Sequence, residues 1–245
     1  MTKFFQLVAS GAALGAVYAL VCLGFVVIYR ATGVINFSQA GTVVLGAFLV
    51  YNATDTWGLS FWPAVAVSMA MGALLGIATE RLILRRMVGQ PVHAVILVTV
   101  GMLLLVEPVV TTIWRNPATS IQTPWGLDKL EIGSVKVLQI DMATVAVAAI
   151  LLGIFFGFFR FTKYGLAMRA TAIDQEAALA QGINVRRIVA LSWAIAGVVA
   201  ILAGTMLGSG AGPARSASTV RQAAAMAVSS LADHQRPWNS SGGGA

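Results

Sequence analysis

The chain has 245 residues, of which 58% are hydrophobic and only 10% are charged. Soluble domains carry about 25% charged residues, so this composition excludes an ordinary water-exposed surface and indicates a membrane protein. The net charge of +7 does not predict binding to nucleic acid, because the basic residues form short clusters between apolar runs, where they orient a membrane protein.

Several apolar runs can cross a bilayer, which takes about 20 helical residues. The runs of sufficient length lie at 5–29, 61–83, 93–114, 140–159 and 188–208. A further run at 40–51 is shorter. It is either a crossing helix extended by the polar residues 36–39 or a re-entrant segment that other helices shield from lipid. The predicted fold class is therefore all-α, a polytopic transmembrane helix bundle.

The loops between these runs differ in charge. Lys and Arg are in excess in loops 81–92 and 160–187, whereas acidic residues nearly balance them in loop 115–139. Because cytoplasmic loops are enriched in Lys and Arg, the first two loops are predicted in the cytoplasm and the third outside. The N-terminus then lies outside if residues 34–51 cross the membrane, and inside if they are re-entrant.

Glycines spaced four residues apart recur in the apolar runs, a spacing that lets helices approach closely. We interpret them as packing residues within one chain. The pairs are Gly11 and Gly15, Gly72 and Gly76, Gly153 and Gly157, and Gly204 and Gly208.

Catalytic chemistry is not indicated. The sequence has no Walker A phosphate loop and no histidines with metal-ligand spacing, so no catalytic residue, metal site or cofactor of its own is predicted. Glu107, however, lies well inside the 93–114 run. A carboxylate at the centre of a span costs about 2.5–3.5 kcal/mol. Glu107 therefore lines a watery pathway or is a protonated or hydrogen-bonded group between helices.

The stretch TAIDQEAALAQGINVRR at 171–187 is polar although apolar runs flank it. Thr171 followed by Asp174 predicts the start of a short helix. Gly182 fits the left-handed position after its end, and Asn184 can cap the helix that follows. The sequence thus predicts a short helix, bounded on both sides, at the cytoplasmic surface.

This predicted helix, at 172–181, has a small apolar face formed by Ala177, Ala178 and Leu179. Helices that rest on lipid headgroups usually carry bulky apolar residues on that face. Small residues instead permit close approach of another protein. The composition of the helix therefore favours a protein partner over lipid.

The pattern E-A-A-x-x-x-G at 176–182 resembles the cytoplasmic coupling motif of bacterial ABC importer permeases. Two further stretches, YRATGVINFSQAGTVVLGAFLVY at 29–51 and VTVGMLLLVEP at 98–108, are similar to permeases of the branched-chain amino acid transporter family, LivH type. The resemblance covers roughly residues 5–212. It implies an ABC importer permease of the bacterial inner (plasma) membrane that carries leucine, isoleucine and valine, or other amino acids, amides or urea.

The resemblance also implies partners and sites. The permease would pair with a second permease subunit, two cytoplasmic ATPase subunits, and a periplasmic or extracytoplasmic substrate-binding protein. ATP would be bound by the ATPase partners and not by this chain. The helix that docks in an ATPase groove would be formed by Glu176, Ala177, Ala178 and Gly182. Residues expected along the translocation pathway are Asn36, Ser38, Gln39 and Glu107.

Two other functions are compatible with the residues. An ATPase-independent secondary transporter or channel would use Glu107 as its ion or proton site, and the similarity of the short helix would be coincidental. A membrane-embedded scaffold would bind partners without any substrate flux.

The C-terminal region departs from the pattern of the preceding chain. Residues 1–212 are predicted to form the transmembrane permease domain, and 213–245 an atypical, disordered tail without a run that can span a bilayer. Either the chain is short or truncated, or its end is read in a shifted frame. We favour the frameshift as a hypothesis, because the change in composition is abrupt.

Overall fold

The computed structural model describes residues 2–87, 90–114, 121, 123–124, 129–132 and 135–211. Within them lie eight α-helices: α1 (Thr2–Thr32), α2 (Ser38–Asp55), α3 (Phe61–Leu82), α4 (Val92–Ile113), α5 (Gln139–Phe161), α6 (Lys163–Ile173), α7 (Gln175–Ala180) and α8 (Val185–Ala211). A 3-10 helix, Leu84–Met87, follows α3. Strands β1 (Lys129–Ile132) and β2 (Val135–Leu138) form an antiparallel hairpin. The predicted tail, 213–245, lies outside the described residues and stays a prediction.

The predicted spans are confirmed as α1, α3, α4, α5 and α8, each long and apolar enough to cross a membrane. The shorter run at 40–51 belongs to α2, a continuous helix of 18 residues. At 1.5 Å per residue, α2 is about 27 Å long, close to the hydrocarbon thickness of about 30 Å. Its length is compatible with a crossing helix, but among the described helices α2 is not one of the five that are apolar enough to span a membrane by composition. The all-α class is confirmed, with the small hairpin as an addition.

One end of the bundle is rich in arginine. Helices α1, α3 and α5 carry Arg30, Arg81 and Arg160 in their last turns. At the same end, Ala31 of α1 packs in one core cluster with Ile188 of α8. Helix α8 therefore begins where α1 and α5 end. We call this end of the bundle the basic end.

The opposite end carries the β-hairpin, and we call it the hairpin end. Near the start of α1, the Ser10 hydroxyl donates a hydrogen bond of 3.3 Å to the Asp141 carboxylate. Asp141 lies in the first turn of α5, directly after β2. Helix α1 thus begins at the hairpin end, on the same side as loop 115–139. This is the arrangement expected if 34–51 crosses the membrane.

Helix α8 is the central helix of the bundle. Its apolar window is 61% buried inside the chain, against 12% for α4 and 17% for α5. It packs on α1 through Leu20 and Ala200 and on α3 at Gly76, where an added Cβ would overlap the Trp193 carbonyl oxygen. Motion of α8 would therefore displace several of the crossing helices packed against it.

The packing role predicted for the glycine pairs is confirmed on two helices only. An added Cβ at Gly72, Gly76, Gly204 or Gly208 would meet atoms of a neighbouring element closer than van der Waals contact allows. The prediction is wrong for the other pairs, because no described atom lies within 4 Å of the Cβ position at Gly11, Gly15, Gly153 and Gly157. Gly11, Gly15 and Gly153 are exposed on the outer surface of α1 and α5, and Gly157 is half-buried.

Candidate functional site

Helix α7 is shorter than predicted and begins later. Asp174 is its N-cap, and the Asp174 carboxylate accepts hydrogen bonds from the backbone N–H groups of Glu176 at 2.9 Å and Ala177 at 3.0 Å. The predicted start at Thr171 is wrong. Thr171 is buried in α6, where its hydroxyl donates to the Ala167 carbonyl at 2.8 Å. The chain leaves the helical conformation only at Asp174, where φ is −153° and ψ is 111°.

The end of α7 agrees with the prediction. Gly182 has a φ of +81°, the left-handed conformation that glycine adopts without steric cost. Its N–H donates to the Leu179 carbonyl, and the Ile183 N–H donates to the Ala178 carbonyl. This pair of bonds is the Schellman motif that closes a helix. Asn184 then caps α8 by accepting from the Arg187 N–H at 3.1 Å, as predicted.

The side chains of α7 divide between two surroundings. Ala178 is only 3% exposed and faces the bundle, whereas Glu176, Ala177 and Gly182 are exposed and Leu179 is 57% exposed. The sequence placed Ala177, Ala178 and Leu179 on one apolar face. In the structure Ala178 instead seats α7 on the bundle. The surface open to another molecule carries Glu176, Ala177 and Leu179.

The polar residues before and within the first turn of α2 are buried. Asn36, Ser38 and Gln39 are exposed by 2%, 4% and 2%. The Asn36 side-chain oxygen accepts from the Ser38 hydroxyl at 2.7 Å, and the Gln39 amide donates to the Ala196 carbonyl of α8 at 3.1 Å. Gly24 of α1 leaves room for the Gln39 amide, which an added Cβ would overlap. The structure thus brings these three predicted residues together between α1, α2 and α8.

Glu107 lies apart from this cluster. It belongs to α4, and its side chain lies outside the described part of the structure. Thr99, on the same helix, accepts a hydrogen bond of 3.3 Å from the Phe37 N–H. Glu107 follows Thr99 by eight residues, so its backbone is about 12 Å further along the helix. The role of Glu107 in a pathway stays a prediction.

A cavity of about 960 Å³ opens at the basic end of the bundle. It lies between α7 and the crossing helices and joins two of the predicted sites. Its lining includes Leu179 and Gly182 from the α7 region and, from the bundle, Asn36, Glu80, Thr99 and Trp193. A shift of α7 would therefore change the wall of a cavity that reaches the buried polar residues.

Sequence reasoning missed three of these lining residues: Glu80, Thr99 and Trp193. Glu80 is 4% exposed and forms an ion pair of 3.4 Å with Arg85 of the 3-10 helix. An acidic residue just before an arginine cluster could have indicated this pair. Thr99 and Trp193 lie within long apolar runs, and only tertiary contacts bring them to the cavity.

Within the described residues, five helices long and apolar enough to cross a bilayer are those of a multi-pass membrane protein. The chain belongs to the family described as branched-chain amino acid transport system / permease component, which matches residues 7–231. This confirms the family resemblance found in the sequence.

Relatives with curated names are similar along most of the chain. The high-affinity branched-chain amino acid transport system permease protein LivH of Salmonella typhimurium is 25% identical over 84% of this chain and 70% of its own length. BraD of Pseudomonas aeruginosa is 24% identical over 84% of this chain and 71% of its own. A probable LivH permease of Methanocaldococcus jannaschii is 25% identical over 77% of this chain and 61% of its own. No solved structure matches the chain.

Proposed function

We propose that this chain is a membrane subunit of an ABC importer of the bacterial inner membrane. It translocates branched-chain or related amino acids with energy from ATP that partner subunits bind and hydrolyse. The observation that carries the proposal is α7, a short helix capped at both ends, exposed at the basic end and adjoining the cavity. Its sequence is the one that resembles the coupling motif of such importers.

The connections of α7 give it a mechanical role. Asp174 both ends α6 and caps α7, and only the turn at 181–184 separates α7 from α8. A cytoplasmic ATPase that closes on Glu176, Ala177 and Leu179 would push the ends of both neighbouring helices. Because α8 packs on α1, α2 and α3, this force would alter how these helices line the cavity.

The remaining partners follow from the same proposal. A second permease subunit and the bilayer share the exposed apolar surfaces of α4 and α5, which carry Leu104, Leu105, Ile154 and Phe156. Two cytoplasmic ATPases meet the basic end, one of them at α7. An extracytoplasmic binding protein delivers the substrate at the hairpin end. Under this proposal the chain is itself neither an enzyme nor an ATP-binding protein.

The proposal is tested by purifying the tagged chain from membranes together with the ATPases encoded for its transporter. We expect Glu176→Arg to lower ATPase recovery and ATP-driven leucine uptake by tenfold or more, because it reverses a charge on the docking surface. The matched control is Asp55→Arg, which reverses an exposed carboxylate at the hairpin end. If Glu176→Arg and Asp55→Arg retain equal amounts of ATPase, α7 is not the docking helix.

An ATPase-independent transporter predicts a different result. Uptake would then follow a proton or ion gradient without any ATPase, and Glu107→Gln would abolish it. Under the ABC importer proposal, the ATPases of a reconstituted transporter that imports leucine face the inside of the vesicle. Uptake into the vesicle therefore requires ATP enclosed in the vesicle. Gradient-driven uptake that is lost in Glu107→Gln would overturn the proposal.

A further inference from the structure

Three charged side chains belong to the lining of the basic-end cavity, as far as the described residues show: Glu80, Arg85 and Arg186. Glu80 lies in the last turn of α3 and forms its ion pair with Arg85. Arg186 is exposed near the start of α8 and forms no ion pair with any described residue. The cavity wall thus holds one carboxylate, the arginine that contacts it and a second arginine on a different helix.

The packing of α3 on α8 brings Glu80 and Arg186 to similar depths. An added Cβ at Gly76 would overlap the carbonyl oxygen of Trp193, so these two residues lie at the same level. Glu80 follows Gly76 by four residues and therefore shares its face of α3, about 6 Å nearer the basic end. Arg186 precedes Trp193 by seven residues, which places it about 10.5 Å nearer the basic end. The two backbones differ in depth by less than one helical turn.

The Glu80 carboxylate can accept from more than one arginine. Its two oxygens each receive a single hydrogen bond, from Nε and Nη2 of Arg85, and both bonds are long at 3.4 Å. An ionised carboxylate offers about four acceptor positions, so about half of them remain open. Arginine presents its N–H groups in a fork that matches a carboxylate, and its long side chain can span the small difference in depth.

Arg186 is placed to move with α7. It is the second residue of α8, and only the turn at 181–184 lies between α8 and α7. Leu179 and Gly182, in α7 and in this turn, line the same cavity. Glu80, by contrast, is buried at the end of α3. A push on α7 therefore displaces Arg186 relative to a carboxylate that stays with the bundle.

We propose that Glu80 binds Arg186, beside Arg85, when the cavity closes at the basic end, an inference that rests on the proposed function. In the structure the cavity is open and the carboxylate contacts Arg85 alone. When the ATPases close on α7, Arg186 crosses the cavity mouth and pairs with Glu80. A contact that exists in the closed form and not in the open form shifts the equilibrium toward closure.

The test uses the purified transporter assembled with its partner subunits, in a Cys22→Ser background with Val95→Cys as the probe. Val95 is half-buried and lines the cavity from α4. The rate of maleimide labelling of this chain is read on a denaturing gel, without nucleotide and with AMP-PNP, a non-hydrolysable ATP analogue that holds ATPases closed. Arg186→Gln removes the proposed closing charge. Arg187→Gln is the matched control, since Arg187 is a neighbouring exposed arginine that does not line the cavity.

We expect AMP-PNP to slow labelling by about tenfold or more in the transporter with the probe alone and in Arg187→Gln, because closure gains a charge-assisted contact. In Arg186→Gln and Glu80→Gln the slowing should fall to about threefold or less, because the closed form loses that contact. Equal slowing in Arg186→Gln and Arg187→Gln overturns the proposal. Because Arg186 is exposed, its replacement leaves the core intact, and this comparison decides the matter even if Glu80→Gln fails to fold.

Arg85→Gln should act in the opposite direction. It leaves the Glu80 carboxylate without a partner in the open form, so that pairing with Arg186 becomes more favourable. Labelling of the probe without nucleotide should therefore be slower than in the transporter that keeps Arg85. Loss of local structure would instead make the cavity more accessible, and labelling that is as fast or faster in Arg85→Gln contradicts the shared carboxylate.

This result is separable from failure of the proposed function. If the wild-type transporter takes up no leucine with ATP and all its partners, the proposed function fails. If it takes up leucine but AMP-PNP does not slow labelling of the probe, or slows it equally in Arg186→Gln, only the closing ion pair is wrong.

Discussion

Gly182 holds a backbone conformation that other residues adopt only at a cost. At a φ of +81°, a residue with a Cβ atom lowers the stability of the folded state by about 1–2 kcal/mol relative to glycine. No described atom lies within 4 Å of an added Cβ, so the cost is conformational and not a clash. We expect Gly182→Ala to loosen the turn between α7 and α8. The ratio of leucine transported to ATP hydrolysed should therefore fall, which paired uptake and phosphate-release assays measure.

Gly58 provides the matched control for this prediction. It has a φ of +64°, also has no atom of the described residues within 4 Å of an added Cβ, and lies between α2 and α3 near the hairpin end. Gly58→Ala carries a similar backbone cost and should lower the melting temperature by a similar amount. It should leave the transport-to-hydrolysis ratio unchanged. An equal fall in that ratio for both variants would contradict a coupling role for the α7 turn.

Single residues were predictable from sequence where local rules decide their conformation. Gly182 and Asn184 were assigned correctly, because helix stops and caps depend on a few neighbouring backbone groups. Thr171 was assigned wrongly, since its burial in α6 and its bond to the Ala167 carbonyl override the capping pattern. The burial of Trp193 beside the cavity could not be predicted, because it is a property of the tertiary structure.

At the scale of elements, the contact between α3 and α8 depends on the absence of side chains. An added Cβ at Gly76 would overlap the backbone of Trp193, and one at Gly72 would meet the Gly197 carbonyl. Overpacking of a core costs about 1–3 kcal/mol, and backbone atoms yield less easily than side chains. We expect Gly76→Ala to lower the thermal stability of the purified chain in detergent, as measured by fluorescence-detected size-exclusion chromatography after heating.

Gly101→Ala is the matched control for this substitution. Gly101 lies within α4, and no described atom is within 4 Å of an added Cβ. Alanine favours a helix interior over glycine by about 1 kcal/mol, so stability should stay the same or rise. If Gly76→Ala melts at the same temperature as Gly101→Ala, the close approach of α3 and α8 is not a stabilising contact.

The elements themselves followed largely from composition and length. Long apolar runs predicted α1, α3, α4, α5 and α8, because a bilayer requires about 20 apolar residues of any crossing helix. The run at 40–51 was ambiguous, because a hydropathy pattern does not show that the polar residues on either side of the run are part of α2. The directions of the neighbouring helices resolve it, because α1 and α3 both end at the basic end and the segment between them must therefore run to the opposite end. The division of 163–180 into α6 and α7 was missed because a single residue, Asp174, causes it.

At the scale of the whole molecule, the contacts between helices fix their directions. Helices α2, α4 and α8 run from the basic end toward the hairpin end, and α1, α3 and α5 run the opposite way. The Gln39–Ala196 bond and the Phe37–Thr99 bond join the first set in the basic-end half of α8 and α4, and the Ser10–Asp141 bond joins α1 to α5 near the hairpin end. Each successive crossing therefore alternates in direction, as a continuous chain through a membrane must.

This alternation predicts which residues face each side of the membrane. The test uses a Cys22→Ser background and introduces one cysteine at a time. Phe4→Cys and Trp57→Cys lie near the hairpin end, and Gln90→Cys lies at the basic end. All three positions are exposed. Because Arg and Lys remain cytoplasmic, a membrane-impermeant maleimide should label the first two in spheroplasts and Gln90→Cys only after the membrane is permeabilised. Labelling of Phe4→Cys only after permeabilisation, with Trp57→Cys labelled before it, would show that α1 and α2 do not both cross, and the assignment of α2 as a crossing helix would be wrong.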